Sequence, residues 1–182
     1  MNLKDKLYLA VSSLRRQTAS DFAQFRKLYF ENNHKTVDGV FQKDMVRILA
    51  RLCQRRNSRY AIAAPRGFAK STIVSCEYVL YCICHKLEKF IVITSHTAEQ
   101  AKGHIRNIKR ELETNPKLQA DFPDVWSPNA KPGPVRWTDG EIITLNGVQV
   151  LALSNEQQIR GRRNLDARPS LIILDDVEPN QG

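Results

Sequence analysis

The chain has 182 residues, 42% hydrophobic and 26% charged, and a net charge of +9. This is enough to bury a substantial core in one domain, and the composition excludes a disordered or fibrous chain. No apolar run approaches the ~18 residues of a membrane span, and Met1-Asn-Leu-Lys-Asp-Lys lacks the apolar core of a secretory signal, so a cytoplasmic protein without membrane contact is expected.

The charge is unevenly placed. Residues 1–70 carry 15 Lys/Arg against 5 Asp/Glu, whereas residues 71–182 carry 13 against 14. A basic first part suits contact with polyphosphate, nucleic acid or an acidic surface, and a solvated helix face is the plainer alternative for any single side chain. Cys53, Cys76, Cys82 and Cys84 lack paired metal-ligand spacing and are expected to be reduced, buried thiols.

In chain order, residues 3–31 read as two short helices, with Leu3, Leu7, Ala10, Val11 and Leu14 in the first and Phe22, Phe25, Leu28 and Tyr29 in the second. Turn signals at Asn32–Lys35 and Asp38-Gly39 precede an amphipathic helix over Phe41–Cys53, with Phe41, Met45, Ile48 or Leu49, and Leu52 inside. Tyr60–Ala64 is expected to be a short buried strand, followed by a tight loop and a helix from about Lys70 to His85. Phe90–Thr94 is a continuous apolar run, the pattern of a strand buried on both faces of a parallel sheet. Thr97-Ala-Glu-Gln100 is a capping box opening a helix that Asn115-Pro116 ends. After a loop over Asp121–Pro134, Glu141–Leu145 and Val148–Leu153 flank Asn146-Gly147, a hairpin signal with a two-residue turn. A polar stretch then leads to Leu171-Ile-Ile-Leu, an apolar strand that ends in Asp175, Asp176 and Glu178. This alternation predicts an α/β fold with a mainly parallel central sheet flanked by helices, plus a β-hairpin.

Such a sheet presents its ligand at the carboxyl ends of its strands. The loop after Tyr60–Ala64 and the acids after Leu174 would then face one crevice. Lys70-Ser71 resembles the end of the phosphate-loop pattern G-x-x-x-x-G-K-[ST], with Ala64 and Ala69 in the glycine positions. A positive φ at either alanine costs about 1 kcal/mol. In this arrangement backbone N–H groups hold phosphate, Lys70 adds positive charge, Ser71 ligates Mg²⁺, and Asp175 holds that ion through water.

Five segments in order resemble the ATPase domain of phage terminase large subunits, the motors that package DNA into procapsids. They are Phe41-Gln42-Lys-Asp-Met, Ala64-Pro65-Arg66-Gly67-Phe68-Ala69-Lys70-Ser71-Thr72, Ile91–His96, Ile159-Arg160-Gly161 and Leu171–Glu178. The resemblance implies an ASCE-type P-loop NTPase over residues 38–182, preceded by a helical extension over residues 1–37. It implies ATP and Mg²⁺ as cofactors, with residues 65–72 around the phosphates and Gln42 reading adenine. Arg66 would sense the γ-phosphate, and Arg160 would act on the ATP of a neighbouring subunit. Asp176 stands where the family has its catalytic glutamate and is favoured for water activation over Glu178. The implied partners are double-stranded DNA, a homo-oligomeric ring, a portal protein and a small terminase subunit, in the cytoplasm of a bacterial host. In the family a further strand and then a nuclease domain follow, so slow hydrolysis and no nuclease activity are expected from residues 1–182. A helicase-like ATPase and a non-catalytic nucleotide-binding or assembly module are the alternatives.

Overall fold

The computed structural model describes residues 13–31, 38–52, 57–130, 136–155 and 168–177. Residues 13–18 are helical. Helices α1 (Phe22–Tyr29) and α2 (Val40–Leu52) follow, and then a π-helical segment (Thr72–Glu77) that runs straight into α3 (Tyr78–Cys84). Next come β1 (Phe90–Ser95), α4 (Ala98–Thr114), α5 (Pro116–Asp121), β2 (Arg136–Trp137), β3 (Glu141–Ile143), β4 (Gln149–Ser154) and β5 (Leu171–Leu174). The chain is an α/β protein with a mixed sheet of order β2-β3-β4-β1-β5 among the described residues. Both neighbours of β1 run parallel to it, while β2 and β3 are antiparallel additions at one edge.

The apolar sequence patterns explain the layers. Ile91 and Ile93 of β1, Val150 of β4 and Ile173 of β5 join Ile105, Ile108 and Leu112 of α4 in the main core. Phe90 and Val92, alternating to the other face, join Leu151 and Leu153 in a second cluster. Strand β1 is thus buried on both faces, as its unbroken apolar run predicts. Thr97 caps α4 with the predicted capping box. Asn115 ends α4 and caps α5, where Pro116 takes the first-turn position that needs no backbone donor.

Three expectations need correction. Tyr60–Ala64 has no regular secondary structure and takes no place in the sheet, and Tyr60 is 47% exposed. An apolar sequence makes a strand only when a ladder partner lies beside it, and this segment has none among the described residues. The hairpin is present, but its loop has three residues, Leu145–Gly147, closed by Thr144 N–H donating to the Val148 carbonyl at 2.9 Å. Gly147 alone has a positive φ, 85°, and its N–H donates to the Thr144 carbonyl, the geometry of a turn ending in a left-handed glycine. Asn146 is drawn away from a two-residue turn because its side-chain amide donates to the Ile83 carbonyl. Finally, Arg136–Trp137 is a short strand that the sequence reading did not anticipate.

The segment from Ile73 to Cys84 is buried almost throughout, including Ser75 and Glu77. A helix that is apolar all round belongs in the interior, and its buried polar groups need partners. Glu77 receives Arg26 Nε of α1 at 2.5 Å, and Arg26 Nη1 also donates to Asp38 at 2.7 Å. Arg26 and Glu77 are only 4% and 1% exposed, so this ion pair is desolvated on both sides. Removing one partner strands the other charge in the core, which costs about 3–5 kcal/mol. Arg26→Met should lower unfolding stability by that amount in urea titrations, and Arg26→Met with Glu77→Leu should restore much of it.

His85 caps α3 inside an aromatic cage of Phe25, Tyr81 and Phe122, with Nε2 3.1 Å from Thr18 Oγ1. Burial, reinforced by the positive charge of Arg15, lowers its pKa from 6.5 to about 4. Between those values the unfolded chain binds the extra proton, so stability falls as pH drops from 6.5 towards 4. Melting temperatures of the wild type should therefore fall more steeply over that window than those of His85→Gln.

Candidate functional site

The carboxyl end of β5 and the start of the buried helix meet at Asp175. Its N–H donates to the Thr94 carbonyl at 2.8 Å, extending the β1–β5 pairing one residue past Leu174 and fixing where the side chain begins. Ser71 Oγ, 104 residues away in sequence, donates to Asp175 Oδ1 at 3.1 Å. Ser75 Oγ, one turn further along the same helix, donates to Oδ2 at 2.7 Å. His104 Nε2 of α4 lies 3.3 Å from the same Oδ2. Burial lowers the His104 pKa, against the raising influence of Asp175 and Asp176.

The loop beside this cluster is bent by two left-handed residues, Gly67 at φ 85° and Ala69 at φ 55°. Of the two alanines in glycine positions, only Ala69 adopts the conformation that favours glycine. Lys70 Nζ donates to the carbonyls of Ala64 at 2.6 Å and Pro65 at 3.2 Å, so the lysine lies along its own loop. Thr72 opens the π-helical segment and, like Pro65 and Arg66, is exposed. Phe68 packs edge-to-face on Phe41 of α2 with ring centroids 5.7 Å apart. That contact brings the first turn of α2, and with it half-buried Gln42, against the loop.

The structure thus gathers the loop, Ser71 and Asp175, and sets Gln42 on the element that packs against the loop tip. Asp176 follows Asp175 at φ 47°, exposed, with its carbonyl accepting from the His96 N–H. The extended backbone therefore stops before Asp176, and simple strand alternation does not carry from Asp176 to Glu178. Glu178 and Arg160 lie outside the described residues.

Ser75 and His104 were missed by the sequence reading. The signals existed: Ser75 interrupts an apolar run four residues after Ser71, and His104 sits beside the Ala101, Ile105, Ile108 stripe of α4. Neither signal says which distant group the side chain meets.

Ser71 and Asp175 offer hard oxygens suited to Mg²⁺, which keeps several waters and takes one or two protein ligands together with substrate phosphates. Neighbouring oxygens in a Mg²⁺ octahedron with ~2.1 Å bonds are about 3 Å apart, close to the 3.1 Å seen between Ser71 Oγ and Asp175 Oδ1. The residues fit a metal–nucleotide complex. Among the described residues there is no cluster of three or more His, Cys, Asp or Glu suited to a metal by itself. A cleft of about 240 Å³ opens next to the cluster, lined in part by Ser71, Thr72, His104 and Arg110. No helix of the described residues is long and apolar enough to cross a membrane.

Comparison with protein-family models finds no match, and comparison with curated proteins finds none either. The functional reading therefore rests on the residues and their geometry.

The strain at Ala69 is directly testable. Ala69→Gly relieves a left-handed alanine and should raise unfolding stability by about 1 kcal/mol. The same change at Ala64, which is not left-handed, should be neutral or destabilising. Chemical denaturation of the two variants compares them.

Proposed function

We propose that this chain is an ASCE-type P-loop ATPase domain of a viral DNA-packaging motor, a terminase large subunit. It would bind Mg²⁺–ATP and couple hydrolysis to translocation of double-stranded DNA. The observation that carries this reading is the 3.1 Å contact between Ser71 and Asp175. It joins a helix start after a lysine-bearing loop to the end of a parallel strand, the pairing on which nucleotide-hydrolysing sites of this class depend. The order of the five sequence segments supplies the rest.

In this role the loop N–H groups and the helix start after Lys70 hold phosphate oxygens. Lys70 exchanges the carbonyls of Ala64 and Pro65 for phosphate, and Arg66 reaches the terminal phosphate. A Mg²⁺ bound with the nucleotide would supply positive charge to the transferring phosphoryl group. Ser71 and Asp175 would hold that ion, Gln42 would read the adenine edge, and Asp176 or Glu178 would orient the attacking water. Arg160 would serve the ATP of the neighbouring subunit in a ring. Contacts with DNA would be to phosphate, and hence salt-sensitive and independent of sequence. A portal protein and a small terminase subunit would be its partners in the host cytoplasm.

The test is nucleotide binding and turnover by the purified chain, alone and with duplex DNA. Wild type should bind Mg²⁺–ATP and hydrolyse it. Lys70→Ala and Asp175→Asn should each lower turnover about 10²–10³-fold, the cost of losing one preorganised electrostatic group. Gln42→Ala should weaken the preference for ATP over GTP. A wild type that binds no nucleotide, or a Lys70→Ala variant with unchanged turnover, overturns the reading.

A further inference from the structure

The carboxylate of Asp175 receives more contacts than a metal-site acid requires, and they are unequally shared. A carboxylate offers about four lone-pair directions, two on each oxygen. Ser75 Oγ and His104 Nε2 both address Oδ2, at 2.7 and 3.3 Å. Oδ1 has Ser71 Oγ at 3.1 Å as its side-chain donor. One oxygen is therefore committed to the helix layer, and the other keeps acceptor capacity on the side facing Ser71.

The two groups on Oδ2 come from separate elements, the helix after the loop and α4, both anchored in the core. Ser75 is fully buried, and Ile105, beside His104, is too. Neither partner can easily follow the carboxylate if it turns. A third observation points to the same place. Ser95 Oγ is buried with no hydrogen-bond partner among the described residues. The register pairs Thr94 with Leu174, so the next step along the ladder sets Ser95 beside Asp175. Alternation along β1 sends Ser95 to the face of Ile91 and Ile93, which is the helix side. An unmet hydroxyl beside a half-committed carboxylate leaves polar capacity at this point of the site.

We infer that Ser75 and His104 are positioning residues that lock the Asp175 side chain by its Oδ2, leaving Oδ1 and Ser71 Oγ as a preset pair of oxygens for a hard divalent cation. The inference rests on the nucleotide-site reading above and assigns roles that the sequence motif does not contain. Groups that orient a metal ligand without touching the metal commonly change metal affinity 10–100-fold when removed. The opposing reading makes Ser75 and His104 mere struts between helix and strand. Struts alter stability, not the difference between binding with metal and binding without it.

The experiment uses Mn²⁺ as the probe, followed by electron paramagnetic resonance in titrations of the whole chain with and without ADP. ADP affinity in EDTA is measured alongside. Ser75→Ala and His104→Asn should weaken Mn²⁺ binding in the presence of ADP about 10–100-fold, with metal-free ADP affinity unchanged. His104→Gln, whose amide nitrogen stands in for Nε2, should bind Mn²⁺ as the wild type does. Asn carries its amide at the position of Nδ1 and serves as a polar, foldable control. If His104→Asn binds Mn²⁺ as tightly as the wild type while ADP still binds, the positioning role is wrong and the nucleotide site stands. Equal losses of Mn²⁺ and metal-free ADP binding also overturn the role, in favour of a strut. If the wild type binds neither ADP nor Mn²⁺, both readings fall together.

Discussion

A helix buried on every side can carry polar groups only where a partner has been built to meet them. The segment from Ile73 to Cys84 is such a helix, and it has two buried polar side chains of this kind, Ser75 and Glu77. Glu77 is met by Arg26 of α1, and Arg26 in turn by Asp38 just before α2. Ser75 is met by Asp175 at the end of β5. Through these two contacts the helix fastens the N-terminal helices on one hand and the sheet on the other. The placement of Ser71, and so of the loop before it, follows from this fastening. An apolar helix could slide or turn at small cost; one with two desolvated polar groups in fixed pairings cannot.

The backbone strain is distributed in keeping with that constraint. Among the described residues, the non-glycine positions with positive φ are Asn57, Ala69, Lys86 and Asp176. Two of the four flank the Ser71–Asp175 contact. Left-handed Ala69 is disfavoured by its Cβ, whereas aspartate tolerates this region better through local hydrogen bonding. Such conformations persist only where their surroundings over-determine them, and they concentrate at ligand sites. The anchored helix start on one side and the ladder bond from Asp175 N–H to the Thr94 carbonyl on the other provide that determination.

What could be read in advance was what is local. The capping box at Thr97, the doubly buried run of β1 and the amphipathic α2 each depend on side chains a few residues apart, and each formed as their pattern implies. Even in α2 the buried stripe runs through Met45, Val46 and Leu49, with Ile48 only partly covered, because the tertiary partner decides which flank of a broad apolar face turns inward. Tyr60–Ala64 failed for the same reason: its composition is that of a strand, but strand formation is a property of pairs. The hairpin loop was lengthened by distant acceptors, with Leu145 N–H bound to the Val125 carbonyl and Asn146 to Ile83. At the site, the motif gave Lys70, Ser71 and Asp175. Ser75 and His104 were hidden because periodicity assigns a residue to a face and does not say what that face meets.

The last consequence is electrostatic. Lys70 and Asp175 stand on adjoining elements with opposite charge, and a direct ion pair between them would satisfy both. No such pair forms. Lys70 is instead held by neutral carbonyls of its own loop, and Asp175 by two hydroxyls, with an imidazole that burial pushes towards its neutral form 3.3 Å away. Neutral partners stabilise each charge without cancelling it. A bound ion pair would have to be broken, at a cost of several kcal/mol when desolvated, before either member could serve an external charge. Hydrogen bonds to neutral groups are worth only about 1–3 kcal/mol each to a charged partner and exchange readily for stronger charge-assisted ones. A lysine and a carboxylate kept apart in this way suit the proposed metal–polyphosphate ligand, in which an anion and a cation arrive together.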